Sequence, residues 1–521
     1  MDLIGNRDIN SLVDWQVQLQ PSEVFIVWEN GESVTWKEFA EKTHLYASYF
    51  KKLGIKKGTK VVFQYRTSVD LLYMIFGLYK LGAVAVMSNT ANTKEDLSYI
   101  VEYTNSRYLV MEGGEEDEAF INHVLHQHPV ERILINQKIK LNSNKVSNMK
   151  EGISLNNGKD VLPRLNLSPD DPATVIFTSG TTAKPKGVIY THGNHLFSGE
   201  IMADILSMDR NDTFMHHFPF FHMNGLGQLF GVLTAGCQLL LFERFRSSVF
   251  TDRVEKFHPT ITHLNSTHIK MILNHVNEEN YRNSSFKTIG FALQMADEHY
   301  DRFEKIFGRV LIELYGLTES ITIPLVNHPH LKRKRQCLGL PAFGYEVKVV
   351  DKNGRENNPF EYGEIILKCY SKHGIMLGYY NKPEETKETI KDGWLYTGDV
   401  GYYDEDWYFY MVDRRKDIIK RAGENISARE IEAILESHPS VKEAGVIGIF
   451  DEIREEVPKA FIVRNDPNIQ EKHIREYCEQ KLAYFKVPEY IEFMDKLPKT
   501  AVGKIEKKLL RNYGEKRSVN N

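Results

Sequence analysis

Three features of the 521-residue sequence predict an α/β fold with more than one domain. Short apolar runs alternate with amphipathic helical patterns, the sign of largely parallel sheets. The chain is longer than a single hydrophobic core usually organises. Its last third changes to turn-punctuated strands and then to a smaller mixed pattern. In order, the strand candidates are "KVVFQY" (60–65), "RYLVM" (107–111), "RILIN" (132–136), "ATVIFTS" (173–179), "QLLLFE" (238–243) and "RVLIELYG" (309–316). Helical patterns such as "DLLYMIFGLYKLG" and "HYDRFEKIFG" lie between several of them. From about residue 345 come "YEVKVVDKNGRE", "YGEIILKC" and "WYFYMVDRR". From about 413 follow a helix in "SAREIEAILESHP" and strands in "AGVIGI" and "KAFIVR". This change of pattern puts a boundary near 413–416.

Composition narrows the function classes. Hydrophobic residues make up 42% and charged residues 26%, ordinary for a soluble globular enzyme. The 66 basic and 70 acidic side chains nearly cancel at a net −4, so nucleic acid is not implied. Cys237, Cys337, Cys369 and Cys478 lie far apart, against a disulfide framework or a zinc knuckle and in favour of a reducing cytoplasm. The start, "MDLIGNRDINSLVDW", lacks the basic-then-apolar pattern of a signal peptide. The most apolar stretch, "LLYMIFGLYKLGAVAVM" at 71–87, is broken by Lys80 and glycines, and reads as a buried helix followed by a strand. The final "EKRSVNN" carries no peroxisomal or lipidation signal.

The stretch "FTSGTTAKPKGVIYTH" (177–192) follows a buried strand with glycines, hydroxyls and lysines. Such a loop can present backbone N–H and side-chain O–H groups to phosphate oxygens, with Lys184 or Lys186 adding charge. It is not a Walker loop, because no Gly-Lys-Ser/Thr closes it. Spacing alone leaves a phosphate cradle and an ordinary surface turn both open.

The motif "TSGTTAKPKGV" resembles the signature loop of the adenylate-forming superfamily, which includes acyl-CoA synthetases, peptide-synthetase adenylation domains and beetle luciferases. Four more motifs follow in the family's order: "FPFFHMNG" (218–225), "ELYGLTES" (313–320), "WLYTGDVGYYDEDWYFYMVDRRKDIIKRAGENIS" (394–427) and "LPKTAVGKI" (497–505). The resemblance covers essentially the whole chain. It implies a large N-terminal AMP-binding domain (1–413) of stacked α/β subdomains plus a β-barrel-like one. A small mobile α+β domain (414–521) would carry a catalytic lysine.

The implied reaction activates a carboxylate on ATP, releases pyrophosphate and passes the acyl group to a thiol, with ATP, Mg²⁺ and CoA as cofactors. Thr178, Ser179, Gly180, Thr181, Thr182 and Lys186 would hold the β- and γ-phosphates. Tyr315, beside Gly316, would stack on adenine; Thr318 would reach the α-phosphate and Glu319 would ligate Mg²⁺. Asp399 would bind the ribose, Arg414 would donate to the same ribose or to the phosphate, and Gly423 and Glu424 would join in the second step. Lys504 would bridge carboxylate and α-phosphate, His222 would gate the acyl pocket, and Lys416 would be the hinge.

Three departures are visible: Asp413-Arg414 opens the hinge motif where many relatives have Gly-Arg, Lys416 stands where Asp is common, and Ala422 where Gly is common.

The chain has no carrier-domain pattern after Lys504, so a stand-alone ligase is preferred to a peptide-synthetase module. "DRRKDIIKRAGENIS", "YCEQKLAYFKVPEY" and "GWLYTGDVGYYDED" look most like bacterial crotonobetaine/carnitine-CoA ligases. Asn224, Gln228 and Asn265 place amides in the expected acyl pocket, suiting a polar or zwitterionic acid or serving as routine helix-end partners. The paired His216–His217 and His192/His195 read as structural. Medium-chain fatty acids, aromatic acids, another acceptor and a catalytically silent scaffold remain alternatives, the last opposed by intact Glu319, Asp399 and Lys504. The partners expected are small molecules, without nucleic acid or membrane insertion; a homodimer is admitted.

Overall fold

A computed structural model describes the chain except residues 1–3, 115–116, 138–142, 156–161, 179–184, 278–283, 293–294, 309, 329–330, 415, 422–423, 501–502 and 519–521, and the side chains of 425 and 514–518. Two large sheets dominate the first four hundred residues. One runs Leu340–Pro341, Leu325–Val326, Leu311–Tyr315, Thr288–Ala292, Ile261–Asn265, Thr213–His216, Gln238–Leu241, Val24–Trp28, Ser33–Thr35. Its pairings from Leu311–Tyr315 to Val24–Trp28 are parallel, and antiparallel strands close both edges. The other runs Gly378–Tyr379, Gly187–Thr191, Pro172–Phe177, Val84–Met87, Lys60–Gln64, Tyr108–Met111, Arg132–Ile135, Val146–Asn148. It too is parallel in its interior.

Continuous burial explains why these central strands are unbroken apolar runs. Val84–Met87 and Tyr108–Met111 are buried at every position, as a sheet covered on both faces requires. One core joins the two sheets, drawing Phe63 and Ile176 from one and Phe214, Leu239 and Ile312 from the other. The helices His192–Ile205 and Met223–Ala235 pack against each other within it. They approach closely because Gly199 has no side chain: a Cβ there would lie 2.6 Å from the Phe230 carbonyl oxygen.

Residues 71–87 form the expected helix and strand, Val69–Lys80 and Val84–Met87. Among the described residues no helix is long and apolar enough to cross a membrane.

The turn-punctuated region folds as a five-stranded antiparallel sheet of Tyr345–Val350, Gly363–Cys369, Trp394–Tyr403, Ile390–Lys391 and Phe409–Arg414. Its last strand starts later than the run "WYFYMVDRR" suggests. Asp404 accepts bonds from the Asp406 and Tyr408 amides, and Trp407 adopts φ 64°, so a turn consumes the first two residues.

Beyond Lys416, strands Ile418–Arg421, Glu424–Ser427, Val441–Asp451 and Glu455–Arg464 pair antiparallel, and Tyr490–Phe493 adds in parallel. Helices Ala428–Glu436 and Glu471–Lys481 cover this sheet, with a separate core around Ile431, Leu435, Val446, Ile462 and Ile474. The architecture is α/β, with a large N-terminal part and a smaller α+β C-terminal domain.

Candidate active site

The cleft is built where strand ends of the large part meet a turn of the small one. Strands Pro172–Phe177 and Gly187–Thr191 form an antiparallel hairpin, closed by the Thr178 amide donating to the Lys186 carbonyl at 2.9 Å. Ser179, Gly180, Thr181 and Thr182 lie between these two and outside the described residues, as does Gly423. Lys186 places Nζ 4.7 Å from the centroid of the Tyr379 ring. The Tyr379 hydroxyl donates to Glu319 Oε1 at 2.7 Å. Three segments far apart in sequence are thus drawn together.

Thr318 and Glu319 sit on a tight turn after the strand Leu311–Tyr315. Ser320 Oγ accepts from the Leu317 amide and donates to nearby carbonyls, and the Tyr190 hydroxyl donates to the Thr318 carbonyl at 2.6 Å. Ile321, buried and β-branched, is held at φ 57°. Strain of this kind persists only where surroundings impose it, and it clusters at functional sites. Gly316 is hemmed in, since a Cβ would lie 2.6 Å from the Thr322 carbonyl oxygen. The Glu319 carboxylate, oriented by Tyr379, suits a hard dication, which favours one or two carboxylates alongside substrate phosphates.

Asp399 and Arg414 face each other across the antiparallel pair Trp394–Tyr403 and Phe409–Arg414, so register alone makes them neighbours. Arg414 Nε lies 3.1 Å from Asp399 Oδ1. The Tyr315 hydroxyl donates to Oδ2 at 2.7 Å. Asp399 is only 1% exposed, and its Oδ1 has no aligned hydrogen bond: the guanidinium contact is ionic without the geometry of a full bond. That oxygen is suited to a hydroxyl donor. Asp399's charge raises the Arg414 pKa, while burial and the same carboxylate raise that of Tyr315.

His222 caps the helix Met223–Ala235, its Nδ1 accepting from the Asn224 amide at 3.3 Å, which leaves the ring proton on Nε2. Burial, and then the charge of Lys504, push its pKa down to about 3, so the ring is neutral.

Lys504 enters from the small domain on a turn pinned by the Gly503 amide donating to the Thr500 carbonyl and the Thr500 amide donating to the Lys504 carbonyl. Gly503 needs its φ of 80° there and lies against Thr267 of the large part. Lys504 stays exposed to the cleft. Desolvation by the cleft walls, then Arg414's charge, still lower its pKa to about 8, against the pull of Asp399. A lysine 105 positions from Asp399 in sequence therefore shares one field with it.

The remaining sequence candidates divide. Asn265 Oδ1 accepts from the His268 amide at 2.7 Å and caps the helix Ser266–Leu273, the routine role. Asn224 is half-buried at the mouth. Gln228 is fully buried, with neither amide atom aligned to a partner. Lys416 lies exposed in the link between the strands Phe409–Arg414 and Ile418–Arg421, and Glu424 is exposed at the start of Glu424–Ser427. His195 is structural: it stacks on Phe230 at 4.4 Å and bonds Thr174. Sequence reasoning missed Tyr379 and Tyr190, which orient the Glu319 turn and carry no spacing signal. It also missed the buried imidazole of His263.

The profile of AMP-binding enzymes matches residues 13–380, and that of the AMP-binding enzyme C-terminal domain matches 430–504. The chain is 31% identical over 532 residues to a crotonobetaine/carnitine–CoA ligase of Citrobacter koseri, covering 98% of this chain and all of that one. It is equally similar, over 527 residues, to the corresponding ligase of Salmonella enteritidis. The o-succinylbenzoate CoA synthetase of Bacillus subtilis, solved with its acyl-adenylate intermediate, superposes with a TM-score of 0.83 at 26% identity, covering 96% of this chain and 97% of that one. The anthranilate CoA ligase AuaEII shares the fold at a TM-score of 0.89 and 24% identity, covering 99% and 98% of the two chains. The profile matches and the full-length similarity give the same answer: this chain belongs to the AMP-binding enzyme family.

Proposed function

We propose that the protein is an ATP-dependent acid–CoA ligase that forms an acyl-adenylate and then an acyl-CoA thioester. The observation carrying this reading is the turn that brings Lys504 of the small domain into one electrostatic field with Asp399, Arg414 and His222 of the large part. In the first step a carboxylate oxygen bonds to the α-phosphorus of ATP, and pyrophosphate leaves with the electrons of the broken P–O bond. In the second, the CoA sulfur bonds to the acyl carbon, AMP leaves, and the thiol proton passes to solvent.

Such transfers need positioning and charge stabilisation more than covalent help from the protein. The Lys504 ammonium bridges carboxylate and α-phosphate and stabilises the charge that develops between them. Lys186, with the hydroxyl-rich loop 178–182, holds the outer phosphates. Asp399 accepts from the ribose hydroxyls beside Arg414, Tyr315 lies against adenine, and Thr318 reaches the α-phosphate. Neutral His222 separates nucleotide from acyl group without adding charge. Glu319, its carboxylate oriented by the Tyr379 hydroxyl, would hold Mg²⁺, which when bound neutralises phosphate charge.

The acid is of the crotonobetaine/carnitine type or another small to medium-chain acid, a reading supported by full-length relatives and by amides among the pocket candidates. Free cysteines among the described residues accord with a cytoplasmic enzyme.

Acid-dependent exchange of labelled pyrophosphate into ATP tests the reading, with crotonobetaine, carnitine, medium-chain and aromatic acids in the panel. Exchange with at least one acid, followed by CoA-dependent thioester release, is expected. Glu319→Gln should shift the Mg²⁺ titration to higher concentration. Silence across the panel would overturn the ligase reading, and an unshifted titration would remove Glu319 as the ligand.

A further inference from the structure

Behind His222 lies a group of imidazoles that the reaction does not use. His216, His217 and His263 are each no more than 3% exposed, and His268 is half-buried at the outer side. They are contiguous: the His217 and His268 rings are 5.4 Å apart, and His263 interacts with His268, His222 and His216. Aromatic rings sheathe them, Phe245 on His268 at 3.9 Å, Phe220 on His216 at 4.7 Å and Phe218 against His263 at 5.3 Å.

Among the described residues, both ring nitrogens of His217 and of His263, Nδ1 of His216 and Nδ1 of His268 have no hydrogen-bond partner. Gln228 sits against His216 closely enough to affect its titration, yet neither of its amide atoms makes an aligned bond. Leaving a buried polar group unpaired costs about 1–3 kcal/mol. Apolar residues of like shape would avoid that penalty, so the arrangement points to a ligand.

The chemistry of the orphaned atoms says which kind. Burial holds His216 at about 4, His263 and His268 at about 3, and His217 well below its usual value, with mutual repulsion adding for His217 and His263. All four rings are therefore neutral. Each neutral imidazole carries one donor and one acceptor. His216 Nε2 is bonded to the Phe218 carbonyl, so its Nδ1 is an acceptor. The wall thus offers donors and acceptors together, with no net charge.

An ammonium would find no carboxylate among these groups, and Arg253 adds positive charge on the His217 side. A second carboxylate only accepts, and would leave the acceptors unpaired. A plain alkyl chain would pair none. A hydroxyl both donates and accepts.

We propose that His216, His217, His263 and Gln228 form a subsite that recognises a hydroxyl group on the acyl chain, making the substrate a hydroxy acid. This rests on the ligase reading and narrows its substrate class.

Matched acids differing by one hydroxyl test it by pyrophosphate exchange: 3-hydroxybutyrate against butyrate, carnitine against 4-trimethylammoniobutyrate, 4-hydroxybenzoate against benzoate, and hydroxylated against plain medium-chain acids. In the wild type, kcat/KM for the hydroxylated member of the best pair should exceed that of its partner about tenfold or more, as sites built to bond a substrate hydroxyl discriminate strongly. Gln228→Leu and His263→Leu should bring that ratio towards one, mainly by loss on the hydroxy acid. Thermal melts of the same preparations should show folded proteins no less stable than wild type, since orphaned polar atoms are replaced by apolar ones. Ratios near one for every wild-type pair, or a ratio that both folded variants leave intact, would overturn the subsite. A panel with no exchange at all would instead overturn the ligase reading.

Discussion

Lys504 illustrates how much a single side chain depends on where its turn is docked. Its ammonium is held at a pKa of about 8 by desolvation and by Arg414, with Asp399 pulling the other way. A folded-state value below that of a free lysine means that the charged form is lost early as pH rises. If adenylation needs that charge, kcat/KM should fall through a limb near pH 8, because this ratio reports the free enzyme. The limb of kcat should lie higher, since bound triphosphate stabilises the ammonium. A pH profile of pyrophosphate exchange checks both. Lys504→Ala should abolish the exchange and leave thioester formation from supplied acyl-AMP largely intact. Equal loss in both half-reactions would remove the lysine from its proposed place in the first step alone.

Between elements, the strand Leu311–Tyr315 of one large sheet is tied to the antiparallel sheet by the bond from Tyr315 to Asp399. Tyr315→Phe keeps the flat face and removes one partner of a carboxylate that is only 1% exposed. Stability should fall by about 1–3 kcal/mol. The KM for ATP should rise severalfold while that for the acid stays put. Denaturant melts and paired KM measurements check this, and an unchanged melt would show that Asp399 needs no support from Tyr315. The same contact shows what the sequence could reveal. Asp399 and Tyr315 stand in motifs whose order identifies them, and the parallel strands betray themselves as continuous apolar runs. Tyr379 and Tyr190 are common residues whose roles arise only when distant segments meet, so no spacing marks them. Asn265 reads as a pocket amide in sequence and proves to be a helix cap. His216–His217 reads as structural, and only orphaned nitrogens in the folded chain set the pair apart.

At the scale of the molecule, polar contacts among the described residues tie the small domain to the large part, with Ser427 and the Arg429 amide bonding Asp413. Lys270 Nζ meets Glu436 Oε2 at 2.6 Å, joining the helices Ser266–Leu273 and Ala428–Glu436, and Gly503 lies on Thr267. In the link, Arg511 donates to the Lys416 carbonyl at 3.2 Å and to Asp417 Oδ1 at 2.5 Å. This orientation has Lys504 in the cleft, as its proposed place in the first step requires. One cleft cannot easily hold that lysine and also admit a thiol to the same carbonyl, so the small domain is proposed to rotate about Lys416 between steps. A hinge residue must absorb a large change in φ and ψ, and proline fixes φ near −65°. Lys416→Pro should therefore trap the orientation seen here, with adenylation surviving and thioester formation falling by orders of magnitude. Single-turnover measurements of each half-reaction on one preparation decide the matter. Slowing of both steps alike, or of neither, would reduce residues 414–418 to a passive linker.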